Sequence, residues 1–153
     1  KLVQIIQSTI NETSIKPSLI ELELTESIIM KNVNRTLKIC KELKKMGVSI
    51  SVDDFGTGYS SLSYLKDFPI DKLKIDQSFI SNLADHDGDD AKIANLVIDL
   101  GHKLGLEVVA EGVETQNQID FLRKYACDEI QGFILSKPLE MNEFEKLIHS
   151  HSN

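Results

Sequence analysis

Short β-branched runs alternate along this chain with longer segments whose apolar residues recur every three or four positions. That alternation is the sequence form of repeated βα units around a parallel sheet. Residues 19–24, LIELEL, predict a first strand, and Val33, Leu37, Cys40, Leu43 and Met46 mark one face of a helix over 33–46 that stops at Gly47. Residues 48–53, VSISVD, predict a second strand, a short helix over 59–67 is ended by Pro69, and 72–76, KLKID, predict a third strand. The acidic connection 85–90, DHDGDD, reads as a solvated loop. Behind it Ile93, Val97, Leu100 and Leu104 predict a helix over 91–104, with Gly105 beyond. Residues 106–110, LEVVA, predict the fourth strand, and Thr115 with Gln118 forms a capping box for a helix ending near Ala126. Residues 129–134 predict the fifth strand, and a last helix spans 140–149 behind Lys137-Pro138. The opening stretch 1–10 reads as the helix of a unit whose strand is missing. With no linker, low-complexity tract or second domain, residues 1–153 read as one α/β unit of five βα repeats.

Composition narrows the function. The chain has 153 residues, 41% hydrophobic, with 17 basic against 24 acidic side chains for a net charge of −7. A packed core is feasible, and disorder is excluded. The acidic balance carries no basic stripe, which rules out duplex nucleic-acid binding driven by phosphate neutralisation but leaves open a small anionic ligand held through metal. No apolar run approaches the ~18 residues of a membrane-spanning helix, and the first residues lack a signal-peptide layout, so no membrane contact by this segment and a cytoplasmic location are expected. Cys40 and Cys127 have no CxxC or Cys/His spacing and read as small buried hydrophobes. His86, His102, His149 and His151 have no metal or triad company and read as surface residues. The chain opens at Lys1 within the first predicted helix, as a piece of something longer would.

In a βα array the loops after the strands lie on one face, where sites are built. Glu23 and Glu26 fall at the end of the first strand, Asp53 and Asp54 at the second, Lys74 and Asp76 on the third, Glu111 and Glu114 after the fourth, and Gln131 on the fifth. A single acid at a strand end commonly caps the next helix or faces water. Several converging carboxylates raise one another's pKa unless a cation neutralises them, so acids gathered near one lysine imply a hard-metal site. Adjacent Asp53-Asp54 can place oxygens on two ions, as two-metal hydrolysis of phosphate esters requires. Phe55-Gly56-Thr57-Gly58 opens a loop that could hold a phosphate, act as a lid or form a plain turn. Lys74 alternates with Leu73 and Ile75. It is either an exposed edge lysine or a residue amid metals, with a depressed pKa or holding the attacking water. From KLKID alone, a Schiff-base lysine of an unrelated barrel enzyme is a third reading.

ELTES (23–27), DDFGTGYSSLSYLKDFPIDKLKID (53–76), AEGVET (110–115) and QGFILSKP (131–138) closely resemble, in order and spacing, the EAL domain, a family of cyclic di-GMP phosphodiesterases of bacterial signalling. The resemblance implies a TIM-type barrel that uses Mg²⁺ or Mn²⁺ in a two-metal site to open cyclic di-GMP to linear pGpG. By matching position it implies Glu23, Asp53, Asp54 and Glu111 as metal ligands, Asp53 bridging, with Lys74 positioning or activating the water and Gln131 in a supporting contact. It implies Glu114 as an acid near the metals and Asp76 as orienting groups around Lys74. Glu26 would anchor the loop after Asp54, which the family uses in dimerisation and in coupling to regulatory domains such as sensory or GGDEF partners.

The Glu-Ala-Leu motif with its phosphate-contacting arginine, and the asparagine that completes one metal site, are absent from these residues, and Phe133 stands where many members have tyrosine. A full (β/α)₈ barrel takes roughly 250 residues. The chain is therefore expected to be the C-terminal part of one such domain, a partial barrel whose open edges favour a homodimer or higher oligomer. Alone it is expected to be inactive, and the alternative is a non-catalytic nucleotide receptor or protein scaffold.

Overall fold

The computed structural model describes residues 1–57, 65–83 and 88–151. Gly58, most of the helix expected over 59–67, and His86 with the start of the acidic connection lie outside the described residues. Helix α1 spans Leu2–Thr13, followed by a single 3₁₀ turn at Pro17–Leu19 and strand β1 at Glu21–Thr25. Then come α2 (Glu26–Lys31), α3 (Val33–Lys45), β2 (Ser49–Phe55), β3 (Lys72–Ile75), α4 (Gln77–Ser81) and α5 (Asp89–Lys103). Strand β4 (Glu107–Glu111), α6 (Gln116–Lys124), β5 (Glu129–Gln131) and α7 (Met141–His151) complete the order. The strands form one five-stranded sheet, β1-β2-β3-β4-β5, parallel throughout. No helix among the described residues is long and apolar enough to cross a membrane.

Two short helices, α2 and α4, were not expected. Each occupies a strand-to-helix connection too brief to show a 3.6-residue period. Strand β5 ends at Gln131 rather than at 134, because Gly132 passes against the backbone of Val113, where a Cβ would lie 2.1 Å from the Val113 oxygen. The chain then leaves the ladder, with Ile134 N–H donating to Val113 O at 3.0 Å. Asp89 and Asp90 belong to the first turn of α5, where their charge complements the helix dipole, rather than to a loop.

Alternation along each strand sorts the side chains onto two faces. Leu22, Leu24, Ile50, Val52, Leu73, Ile75, Val108 and Ala110 form an apolar face packed against Ile29, Cys40 and Leu43 on one side and Ala94, Ile98 and Phe121 on the other. The opposite face carries Glu21, Glu23, Ser51, Asp53, Lys72, Lys74, Glu107, Glu111, Glu129 and Gln131. Neighbouring strands lie ~4.8 Å apart, so β1 and β5 would stand about 19 Å apart in a flat sheet. Yet the Lys72 ammonium on central β3 reaches Glu21 of β1 at 3.5 Å, Glu107 of β4 at 3.6 Å and Glu129 of β5 at 2.8 Å. One cation can meet both outer strands only if the sheet curls around it. The fold is thus a partial TIM-type barrel with a polar concave face.

Asp71 and Asp128, each one residue ahead of its strand, fasten the lower rim alike. Asp71 accepts Ile50 N–H at 2.8 Å and Lys44 Nζ at 2.7 Å, while Asp128 accepts Val108 N–H at 2.8 Å and meets His102 Nε2 at 2.9 Å. His102 is therefore a surface histidine with a partner. Cys40 is fully buried, whereas Cys127 is only partly so and donates its thiol to Val108 O and Glu129 O. Burial alone would raise both carboxyls, but the hydrogen bonds from Ile50 and Lys44, and from Val108 and His102, hold them below the usual range.

Because the folded pKa lies below the unfolded value of about 3.9, this stabilisation is full above that pH and is lost as pH falls through the folded pKa. Asp71→Asn is expected to lower the unfolding free energy by about 1–2 kcal/mol at pH 7 and to flatten the acid loss of stability below pH ~4, as read by urea denaturation across pH. A second prediction concerns helix ends. Gly47 (φ 87°) and Gly105 (φ 73°) close α3 and α5 in the left-handed region, but Ala126 (φ 58°) does so after α6. Ala126→Gly is expected to stabilise by about 0.5–1 kcal/mol, a rise of roughly 2 °C in calorimetric melting temperature.

Candidate metal centre

The upper end of the concave face begins with a defect in the ladder. Ser51 and Val52 pair with Lys72 and Leu73, but the next pair is Phe55 with Ile75, so three steps of β2 match two of β3. The extra residue bulges the strand, and Asp54 takes φ 55°, a conformation aspartate tolerates better than most side chains. Consecutive strand residues otherwise point to opposite faces. With the bulge, one carboxylate oxygen from each of Asp53, Asp54 and Glu111 lies within 4.8 Å of the others.

Lys74 stands beside this cluster with its side chain only 5% exposed, donating to Glu23 Oε1 at 2.5 Å and to Glu111 Oε1 at 2.6 Å, with Asp53 Oδ1 at 3.5 Å. Burial opposes its charge, but the hydrogen bonds to Glu111 and Glu23 and the charge of Asp53 prevail and hold the amine well above the ordinary lysine range. The acids that would hold the ions act here on the ammonium itself. Its burial on central β3 excludes an exposed edge lysine.

Asp53 Oδ1 is buried and accepts no hydrogen bond among the described residues. The Asp54 carboxyl is raised, first by partial desolvation and then by the charges of Asp53 and Asp76. Converging acids, a buried oxygen without a donor and a ligand set made only of oxygens fit a hard divalent cation.

The remaining residues singled out in the sequence sit around this centre in different ways. Gln131 is paired with Glu111 in register and, with Asp54, Asp76, Gln77, Glu114 and Phe133, lines a cleft of about 300 Å³. Glu114 is exposed, and its N–H is held by Gln118 Oε1 at 2.7 Å. Asp76 caps α4, accepting Ser78 N–H at 3.0 Å. It also acts on Asp54, whose carboxyl it raises by its charge and by a side-chain hydrogen bond. Glu26, the first residue of α2, is buried, and its Oε2 has no partner among the described residues. With Thr25, Met30, Lys31, Asp54 and Thr57 it lines a second cavity of about 600 Å³. Phe55 is buried, Gly56 (φ 97°) packs against the Phe79 ring, and Thr57 Oγ1 donates to Asp54 O at 2.8 Å to close the turn.

Sequence reasoning missed Lys72 and its three acids. The signal was available in the shared parity of Lys72 with Lys74 and of Glu21 with Glu23, which puts each pair on one face.

The EAL domain family model matches residues 1–138. The bifunctional diguanylate cyclase/cyclic di-GMP phosphodiesterase MucR of Pseudomonas aeruginosa is 49% identical over 138 residues, covering 90% of this chain and 20% of that protein. The solved PaMucR phosphodiesterase in complex with c-di-GMP superposes with a TM-score of 0.89 at 47% identity, over 94% of this chain and 57% of that one. Klebsiella pneumoniae BlrP1, solved as a manganese/cy-diGMP complex, does so with a TM-score of 0.80 at 32% identity, over 89% of this chain and 34% of that one. The chain spans about a fifth of the length of the curated relatives it matches. A family model spanning nine-tenths of the sequence, on a sheet that gathers those acids at the carboxyl ends of its strands, places this chain in the EAL domain family.

Proposed function

We propose that this chain is the C-terminal part of an EAL phosphodiesterase domain that hydrolyses one phosphodiester of cyclic di-GMP to linear pGpG. The observation that carries the reading is the cluster of Asp53, Asp54 and Glu111 beside the buried Lys74. Asp53, Asp54 and Glu111, joined by Glu23, would hold Mg²⁺ or Mn²⁺. When bound, such ions polarise the phosphoryl group and lower the pKa of water. Lys74 stands beside these acids, paired with Glu111 and Glu23. It orients the water through its N–H groups and offsets charge on the scissile phosphate. In the reaction the water oxygen bonds to phosphorus, the bridging P–O3′ bond breaks, and the 3′ oxygen leaves with a proton. Gln131 and Phe133 line the adjoining cleft, where a nucleotide can be positioned. Glu26 would anchor the loop that follows Asp54, a role supported by the cavity it lines with Asp54 and Thr57.

The open edges of β1 and β5, with Leu135, Met141, Phe144 and Ile148 exposed beside the latter, support association, either with another copy or with the sensory or GGDEF partners of a longer protein. A cyclic dinucleotide messenger as substrate supports a cytoplasmic location for the domain.

The test is chromatographic detection of pGpG from cyclic di-GMP with Mn²⁺. The intact parent protein is expected to turn over, and Asp53→Asn in it to lose at least about 10²-fold in kcat, as removal of charge stabilisation does. The 153-residue chain, without the Glu-Ala-Leu segment, is expected to show no rapid turnover. Micromolar binding of cyclic di-GMP by the parent without hydrolysis would instead favour the receptor reading, which that missing motif supports.

A further inference from the structure

We propose that Lys74 is a built-in competitor of the divalent cation: ammonium and ion draw on the same carboxylates, so the ion binds only as far as Lys74 yields Glu111 and Glu23. The inference rests on the reading of Asp53, Asp54 and Glu111 as a metal site.

Glu111 belongs to both constellations. Its Oε1 accepts from Lys74 at 2.6 Å, and one of its oxygens lies within 4.8 Å of those of Asp53 and Asp54. Glu23, the fourth acid expected to serve an ion, is instead bonded to the lysine at 2.5 Å and stands outside that cluster. Asp53 Oδ1 faces the same ammonium at 3.5 Å, beyond hydrogen-bond reach. An ion among Asp53, Asp54 and Glu111 therefore sits next to a third positive charge. Little water screens the two, because the lysine is buried on the central strand.

Lys72 is the internal control. It lies two residues earlier on the same concave face, but its partners Glu21, Glu107 and Glu129 include none of the cluster acids. Removing its charge changes the net charge equally and frees no ligand. Linkage makes the effect reciprocal: whatever Lys74 takes from ion affinity, the ion takes from the hold of the carboxylates on Lys74.

Calorimetric titration of Mn²⁺ into the 153-residue chain tests this with the wild type, Lys74→Gln and Lys72→Gln. Lys74→Gln is expected to bind at least about tenfold more tightly, within the usual range of coupling between linked sites, and Lys72→Gln to stay within about threefold of wild type. If the wild type binds and Lys74→Gln does not tighten, or Lys72→Gln tightens as much, the competition is refuted while the metal site stands. Failure of both the wild type and Lys74→Gln to bind removes the metal reading and the proposal with it. Should Lys74→Gln not fold, reductive methylation of the wild-type chain, read by mass spectrometry with and without Mg²⁺, decides instead. Lys74 labelling should rise at least about threefold with Mg²⁺ against a constant Lys72, and an unchanged Lys74 refutes the competition.

Discussion

Two ammonium groups, Lys72 and Lys74, organise the concave face of this sheet. They sit two residues apart on the central strand and between them meet Glu21 and Glu23 of β1, Asp53 of β2, Glu107 and Glu111 of β4 and Glu129 of β5. Every strand other than β3 is tied to a β3 lysine by at least one carboxylate. At an effective dielectric near 20, one such pair at about 4 Å interacts by ~4 kcal/mol before desolvation is charged against it, so six acids without the lysines would repel one another strongly. The apolar face explains why the strands pair and bury. The curl brings the outer strands within reach of the lysines.

The same pairing makes the upper layer chemically distinct from the lower. Lys72 spreads its contacts over three acids that serve the curl of the sheet alone. Lys74 holds two acids, one of which is shared with the Asp53-Asp54 bulge, and leaves a buried Asp53 oxygen without a donor. A single extra residue in β2 thus converts a structural ion layer into a constellation able to hold a cation. Stability and chemistry are separated by only two residues along one strand.

At the opposite rim, Asp71 and Asp128 repeat one device: each accepts an N–H near the start of the neighbouring strand and meets a basic side chain from the end of the preceding helix. They hold β2 with β3 and β4 with β5 at the end remote from the acids. Asp71 and Asp128 were invisible in the sequence as a pair because nothing in linear spacing shows that Lys44 and His102 end their helices over the same kind of carboxylate.

Much of the architecture was legible in residue order. The alternation of LIELEL, VSISVD, KLKID and LEVVA with 3.6-residue segments was enough for a parallel βα array, because hydrophobic period follows directly from which face is buried. The Thr115–Gln118 capping box was equally local, and its reciprocal bonds are present in the fold. The short helices α2 and α4 and the early end of β5 were not legible, since they depend on connections and on the passage of Gly132 against Val113.

The sequence by itself determined which polar residues gather at the carboxyl ends of the strands, because strand order and parity place them there. Only the tertiary structure decided how they divide: Glu23 to the lysine, Glu111 to both lysine and cluster, and Asp54 back to the face of Asp53. That division follows from the bulge and from the curl that brings distant strands within reach of one ammonium, and neither is a property of any strand taken alone.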